Sequence, residues 1–174
     1  MATFGDMETG RQAVIMLGGN LGDRNMNLET AKHHIAAQAG EILEESSVYE
    51  TAAYGMKSGT PDFLNQAIRI KSNKKPEELL SLLLEIEMKM GRKRTGETDS
   101  RVIDIDLILF EDQVIQTEVL TLPHPRFHLR RFNMLPINEI ASSWQHPLFK
   151  TTMGQLLNNC QDTSKVVLYS GTVV

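Results

Sequence analysis

The sequence predicts an α+β domain: a sheet built on a β-α-β-β-α-β core, with an added strand and helices packed on it. Three observations carry this expectation. Apolar runs of strand length recur along the chain, and they alternate with two stretches whose apolar residues fall at helical spacing. No internal repeat, low-complexity segment or linker divides the chain. Its 174 residues suffice for one domain with a sizeable core.

Taken in order, residues 1–12, "MATFGDMETGRQ", have no apolar core and are expected to be a disordered leader, with 13–174 a single domain. "AVIML" (13–17) reads as a buried strand ending in "GGN". A helix is expected over 25–39, where Met26, Leu28, Ala31, Ile35 and Ala39 recur at roughly helical spacing before Gly40. A strand-like region follows over 42–54, then a glycine-containing turn and a second strand at 62–71. The clearest helix is "KPEELLSLLLEIEMKMG": Pro76 opens it, Glu77 and Glu78 suit its positive end, and Gly91 closes it. A polar loop (91–100) leads to a strand at 101–110 and another near 114–120. Short helical pieces and a last strand at "KVVLY" complete the chain. This order matches the split βαβ, ferredoxin-like arrangement, with helices expected on one face of the sheet.

Composition narrows the function. A net charge of −4 argues against a bulk nucleic-acid or anionic-membrane partner, which needs a basic footprint. It leaves room for a small anion held by a local arginine cluster. Cys160 is the single cysteine, so no internal disulfide forms and a cytoplasmic location is the simplest expectation. No apolar run is long enough to span a bilayer as a helix.

The informative anomaly is "SRVIDIDLILF" (100–110), an apolar strand carrying two carboxylates. Residues two apart on a strand share a face. Arg101, Ile103, Ile105, Leu107 and Leu109 are thereby assigned to the core face, and Val102, Asp104, Asp106, Ile108 and Phe110 to the other. The two aspartates would stand about 6.5 Å apart at their backbones. Both ionised, they would repel by roughly 2.5 kcal/mol at an effective dielectric near 20. A divalent ion with oxygen ligands offsets that, and so does an arginine. The preceding loop supplies Arg92, Arg94 and Arg101, which can grip phosphate oxygens. Acids able to hold magnesium, facing arginines, form a phosphoryl-transfer constellation.

Other candidates are weaker. "GGNLGDR" (18–24) lacks the pattern of a phosphate-binding loop and reads as a tight turn. His124 and His128 invite a zinc site, but Pro125 interrupts a regular helix and no third ligand is near; His124 suits a hydrogen bond to phosphate better. Phe63 and Asn65 share a strand face, which fits a flat heterocycle as well as it fits a core Phe beside a surface Asn.

Read together and in order, "GGNLGDR", "YETAAYG", "DFLNQAI", "EIEMKMGRKR", "RVIDIDLILF", "LTLPHPRFHLRRFNMLP" and "NEIA" resemble 6-hydroxymethyl-7,8-dihydropterin pyrophosphokinase of folate biosynthesis, over about residues 13–142. The resemblance implies a monomeric enzyme that moves the terminal diphosphate of ATP to the pterin hydroxymethyl group and releases AMP. It also implies two magnesium ions held by Asp104 and Asp106, and a catalytic set of these two aspartates with Arg92 and Arg101, whose positions lie around ATP. Thr51, Phe63, Asn65 and Phe132 match pterin-pocket positions, the two aromatics sandwiching the ring. Glu87, Arg94, Thr121, His124 and Arg130 match positions around ATP, and Leu107 would line the adenine pocket. The sequence departs from the family at "TDSR", where Trp-Gly-Pro-Arg is common; Thr98 stands near the missing Trp.

Overall fold

A computed structural model of the chain describes residues 10–53, 55–93 and 100–171. Its central strand is β1 (Arg11–Gly19), followed by α1 (Arg24–Gln38), β2 (Glu41–Glu45), β3 (Tyr49–Thr51) and β4 (Phe63–Ser72). Then come α2 (Pro76–Lys89), β5 (Asp104–Phe110), β6 (Ile115–Gln116), β7 (Thr121–Leu122), α3 (Arg131–Ala141), α4 (Met153–Asn158) and β8 (Val166–Leu168). The main sheet runs β5-β1-β4-β3-β8, with β2 also pairing β4, and every pairing is antiparallel. Two split βαβ units interleave, as the ferredoxin-like order requires. The single strand-like region expected at 42–54 is two short strands, β2 and β3, that share β4 as partner.

Local signals set the helix ends. The Asp23 side chain accepts from Met26 N at 3.0 Å and starts α1. Pro76 occupies the first turn of α2, and Glu78 Oε2 reaches back to Lys75 N at 2.9 Å. Arg11 and Gln12, expected in the leader, belong to β1, opposite Ser72 and Lys71, while residues 1–9 lie outside the described residues. The strand expected near 114–120 is the short β6, which pairs with β7 apart from the main sheet.

Two apolar clusters sandwich the sheet. Ala13, Ile15 and Leu17 of β1 pack with Ile68 and Ile70 of β4 and Ile105 and Leu107 of β5 beneath α1 and α2. Val14, Met16 and Ala67 face the opposite way and pack against Met134, Ile137 and Ile140 of α3 and Met153 of α4. Helices on one face was therefore too simple an expectation. The unbroken run "AVIML" has apolar residues on both faces, and each face needs cover. The candidate site lies beside the start of α3, between Phe132 and Asn133 and the strands β1, β4 and β5.

Strict alternation along β5 is also corrected. Val14 pairs with Leu109 but Ile15 pairs with Leu107, so Ile108 is an extra residue in a β-bulge. Asp104, Asp106 and Ile108 share the cavity face as expected. Beyond the bulge the faces exchange: Leu109 packs with the α3 cluster and Phe110 with the α1–α2 cluster. Among the described residues no helix is long and apolar enough to cross a membrane.

Candidate functional site

A cavity of about 380 Å³ opens on the second face of the sheet. Its floor exists because β1 carries no side chain at Gly18. That residue pairs with Asn65 of β4 on one side and Asp104 of β5 on the other. A Cβ at Gly18 would lie 3.0 Å from Asn65 Oδ1, so glycine keeps the two flanking groups in one open space. On the β4 side stand Phe63 and Asn65, with Thr51 of β3 next to them; Asn65 Nδ2 donates to Thr51 Oγ1 at 3.0 Å. Phe132 and Asn133 at the start of α3 form the facing wall. On the β5 side stand Asp104, Asp106 and Ile108, with Arg101, His124 and Arg130 at the rim.

The acidic half has a built electrostatic frame. Asp104 is held between two guanidiniums: Arg92 contacts its Oδ1, and Arg101 Nη1 donates to its Oδ2 at 2.7 Å. Arg92 also meets Glu87 at 2.9 Å, and Glu87 Oε1 accepts from Ile105 N at 2.7 Å. Ligand oxygens of Glu87, Asp104 and Asp106 all lie within 4.8 Å of one another, the one such metal-capable group among the described residues. Asp106 forms no ion pair or hydrogen bond among the described residues. It is solvent-accessible within the cleft. Desolvation by the walls of the cleft pushes its carboxyl above the usual range, and Glu87 adds to the push, while His124, Arg92 and Arg101 oppose it. His124 is held below its ordinary value by burial, which Arg130 and Arg126 reinforce and Asp106 opposes. The backbone N–H of His124 donates to the Ile108 carbonyl at 2.9 Å, fixing the imidazole at the rim.

The cavity thus gathers Thr51, Phe63, Asn65, Phe132, Arg101, Asp104, Asp106, His124 and Arg130, every one singled out in the sequence. Other expected site residues sit elsewhere. Glu87, expected around ATP, is 1% exposed and lies outside the cavity lining, where it pairs with Arg92 beside the two aspartates. The Leu107 side chain, expected against adenine, belongs to the core under α1 and α2 because it falls on the opposite pleat from Asp106. Thr121 is exposed on β7, outside the cavity lining. Arg94 and Thr98 lie outside the described residues. His128 packs edge-on to Phe149, ring centroids 4.9 Å apart.

Asn20 is the residue that sequence reasoning missed. It is 1% exposed. Its Oδ1 accepts from Arg101 N at 2.8 Å, and its Nδ2 donates to Ser100 Oγ and Pro61 O, each at 3.1 Å. Gly19 beside it lets the chain before β5 approach: a Cβ there would lie 2.3 Å from the Val102 carbonyl oxygen. The "GGN" turn therefore clamps the segment that delivers Arg101 to Asp104. Its signal was the paired glycines before a polar residue, read as an ordinary turn. Asn20→Ala is expected to cost about 2 kcal/mol through buried groups left unpaired, measurable by denaturant melts. A loss under half that value would show the clamp to be redundant.

Known proteins resemble most of this chain. The family model described as 7,8-dihydro-6-hydroxymethylpterin-pyrophosphokinase (HPPK) matches residues 14–142. A 2-amino-4-hydroxy-6-hydroxymethyldihydropteridine pyrophosphokinase of Synechocystis sp. is 37% identical over 153 residues, covering 87% of this chain and 77% of that protein. The protein of that name in Bacillus subtilis is 40% identical over 130 residues, covering 74% of this chain and 77% of its own. Among solved structures, the Plasmodium falciparum HPPK-DHPS wild type with pteroate superposes with a TM-score of 0.71 at 18% identity. That match covers 90% of this chain and 43% of the solved one, so this chain spans less than half the length of that protein. At that identity the likeness speaks to the fold, and the fold agrees with the ferredoxin-like expectation.

Proposed function

The chain belongs to the 7,8-dihydro-6-hydroxymethylpterin-pyrophosphokinase family, and from that premise we propose how its cavity transfers diphosphate from ATP to 6-hydroxymethyl-7,8-dihydropterin, the reaction it performs in folate biosynthesis. The observation that carries the proposal is one cavity with two unlike halves. An aromatic and amide half is separated from an acid and arginine half by the bare backbone of Gly18.

The aromatic half takes the pterin. Phe63 and Phe132 offer ring faces, and Asn65 and Thr51 offer hydrogen-bonding edges for the heterocycle. The acidic half takes the triphosphate. Asp104 and Asp106 supply hard carboxylate oxygens, the donor type magnesium requires, so the residues present fit this metal, and in this reading two magnesium ions would be held there with ATP. When bound, the ions neutralise phosphate charge and align the chain of phosphates. Without them, Arg92 and Arg101 neutralise Asp104. The same guanidiniums, beside the carboxylates that would hold the cation, can also grip phosphate oxygens. His124 and Arg130 stand at the rim as further phosphate donors. The pterin hydroxyl oxygen forms a bond to the β-phosphorus as the bond from that phosphorus to the bridging oxygen of AMP breaks. The protein positions both groups and screens their charge. The enzyme acts as a cytoplasmic monomer in this reading.

The test is AMP release from ATP with magnesium, with and without the pterin alcohol. Release that requires the pterin supports the reading. Equal release without pterin would make the protein a metal-dependent phosphohydrolase, and ligand binding without release would make it a sensor. A finer expectation concerns the ring seat: Phe132→Ala should weaken pterin binding by roughly 1–3 kcal/mol, the scale of one aromatic–base stack. ATP affinity should change little, and titration calorimetry of the two ligands reads the difference.

A further inference from the structure

The family match ends at residue 142, yet the cavity does not. Ser164, from the C-terminal tail, lines it together with Thr51, Phe132 and Asn133. The tail is tied to both elements of the aromatic half. Val166 of β8 pairs with Thr51 of β3, and Tyr169 N donates to the Val48 carbonyl at 2.9 Å. At the other side Asp162 meets the first turn of α3. Its Oδ2 accepts from Arg131 N at 2.8 Å, and its Oδ1 accepts from Ser164 N at 2.9 Å.

This bond matters because α3 does not cap itself. Arg130, at its N-cap, makes no side-chain capping bond. A helix start leaves N–H groups without intrahelical partners, and a carboxylate there also complements the helix dipole. Asp162 supplies that carboxylate from outside the helix, one residue before Phe132. Burial raises its carboxyl, but the N–H groups of Arg131 and Ser164, the Ser164 hydroxyl and the charge of Arg131 together outweigh that and hold it below the usual range.

We infer that the C-terminal tail is a working part of the pterin seat, with Asp162 a positioning residue that fixes the first turn of α3 and so the ring of Phe132, and Ser164 completing the wall between that ring and Thr51. The inference rests on the assignment of Phe132 to the pterin. It makes the tail a determinant of pterin affinity with little influence on ATP.

The experiment compares Asp162→Ala, Asp162→Asn and Phe132→Ala in the full chain, by steady-state kinetics and thermal melting. Asp162→Ala is expected to raise the pterin KM about fivefold, the factor an ordinary lost helix cap corresponds to, with kcat and the ATP KM nearly unchanged. Asp162→Asn, whose amide oxygen still accepts from Arg131 N, should restore most of the affinity. Equal rises in both KM values with a lower melting temperature would make the bond merely structural and overturn the inference. So would an unchanged pterin KM in Asp162→Ala while Phe132→Ala raises it. If Phe132→Ala itself leaves the pterin KM unchanged, it is the assignment of the ring seat that fails.

Discussion

Asp106→Asn is expected to lower the rate of AMP release by about 10²–10³-fold, the scale of removing one preorganised electrostatic group from a transition state. The metal-free protein should melt at the same temperature or slightly higher. The two halves of this expectation have different origins. An amide is a poorer ligand than a carboxylate for a hard cation, and the loss is felt most where charge shifts during transfer. Stability behaves otherwise because Asp106 makes no ion pair among the described residues and stands close to Asp104 and Glu87. Asp104 is already neutralised by Arg92 and Arg101, so the relief is smaller than the bare-pair repulsion of roughly 2.5 kcal/mol. For the same reason the two aspartates are not equivalent: Asp104→Asn strips two guanidiniums of a partner and should melt earlier. A metal-free melt beside an AMP-release assay with magnesium decides. Early melting of Asp106→Asn with most activity kept would make these structural acids and end the metal reading.

The largest effect on stability should come from Glu87. Glu87→Ala is expected to cost about 3–5 kcal/mol, the range for breaking a buried ion pair from one side. For a chain of this size that lowers the melting temperature on the order of 10 °C. The side chain is 1% exposed, accepts from Ile105 N and holds Arg92, so its removal leaves a buried N–H unpaired and loosens the arginine that neutralises Asp104. Loss of the Ile105 tether also frees the strand between the two aspartates. A melting temperature within about 3 °C of wild type would show that water or a rotated Arg92 replaces the contact.

These contrasts show what the sequence could and could not disclose. The helix read from Pro76 and the paired glutamates matches α2 closely, because its signals are local. The pairing of Asp104 with Asp106 was legible for the same reason: a two-residue repeat on a strand is a local fact. The choice between an arginine and a cation as their partner was not, because Arg92 reaches Asp104 through a fold that brings the end of α2 beside β5. The structure shows the arginines in place at Asp104. The side-chain direction of Leu109 was equally hidden. A strand apolar on both faces gives no polar residue to mark where alternation slips. Glu87 matched an ATP position only through the family resemblance, and nothing local marked it as a buried partner of Arg92; Asn20 looked like part of a turn until Arg101 came to lie against it.

The bulge at Ile108 has a consequence for how such a chain can change length. Seven residues of β5, Asp104 to Phe110, lie opposite the six from Ala13 to Gly18. The odd residue acts as a parity switch: aspartates before it face the ligands, and leucine and phenylalanine after it keep both cores filled. Its carbonyl also holds the His124 backbone. Deleting one codon between Asp106 and Phe110 would remove the bulge and with it the carbonyl geometry that anchors the histidine loop, and loss of Leu107 would also draw Ile108 into the opposite core, however apolar the remaining residues. Inserting one would exchange the faces beyond it or widen the bulge. Substitutions among Ile, Leu and Val can drift here, while gains and losses of length are confined to the turns on either side, so the strand should hold its residue count even where its letters change.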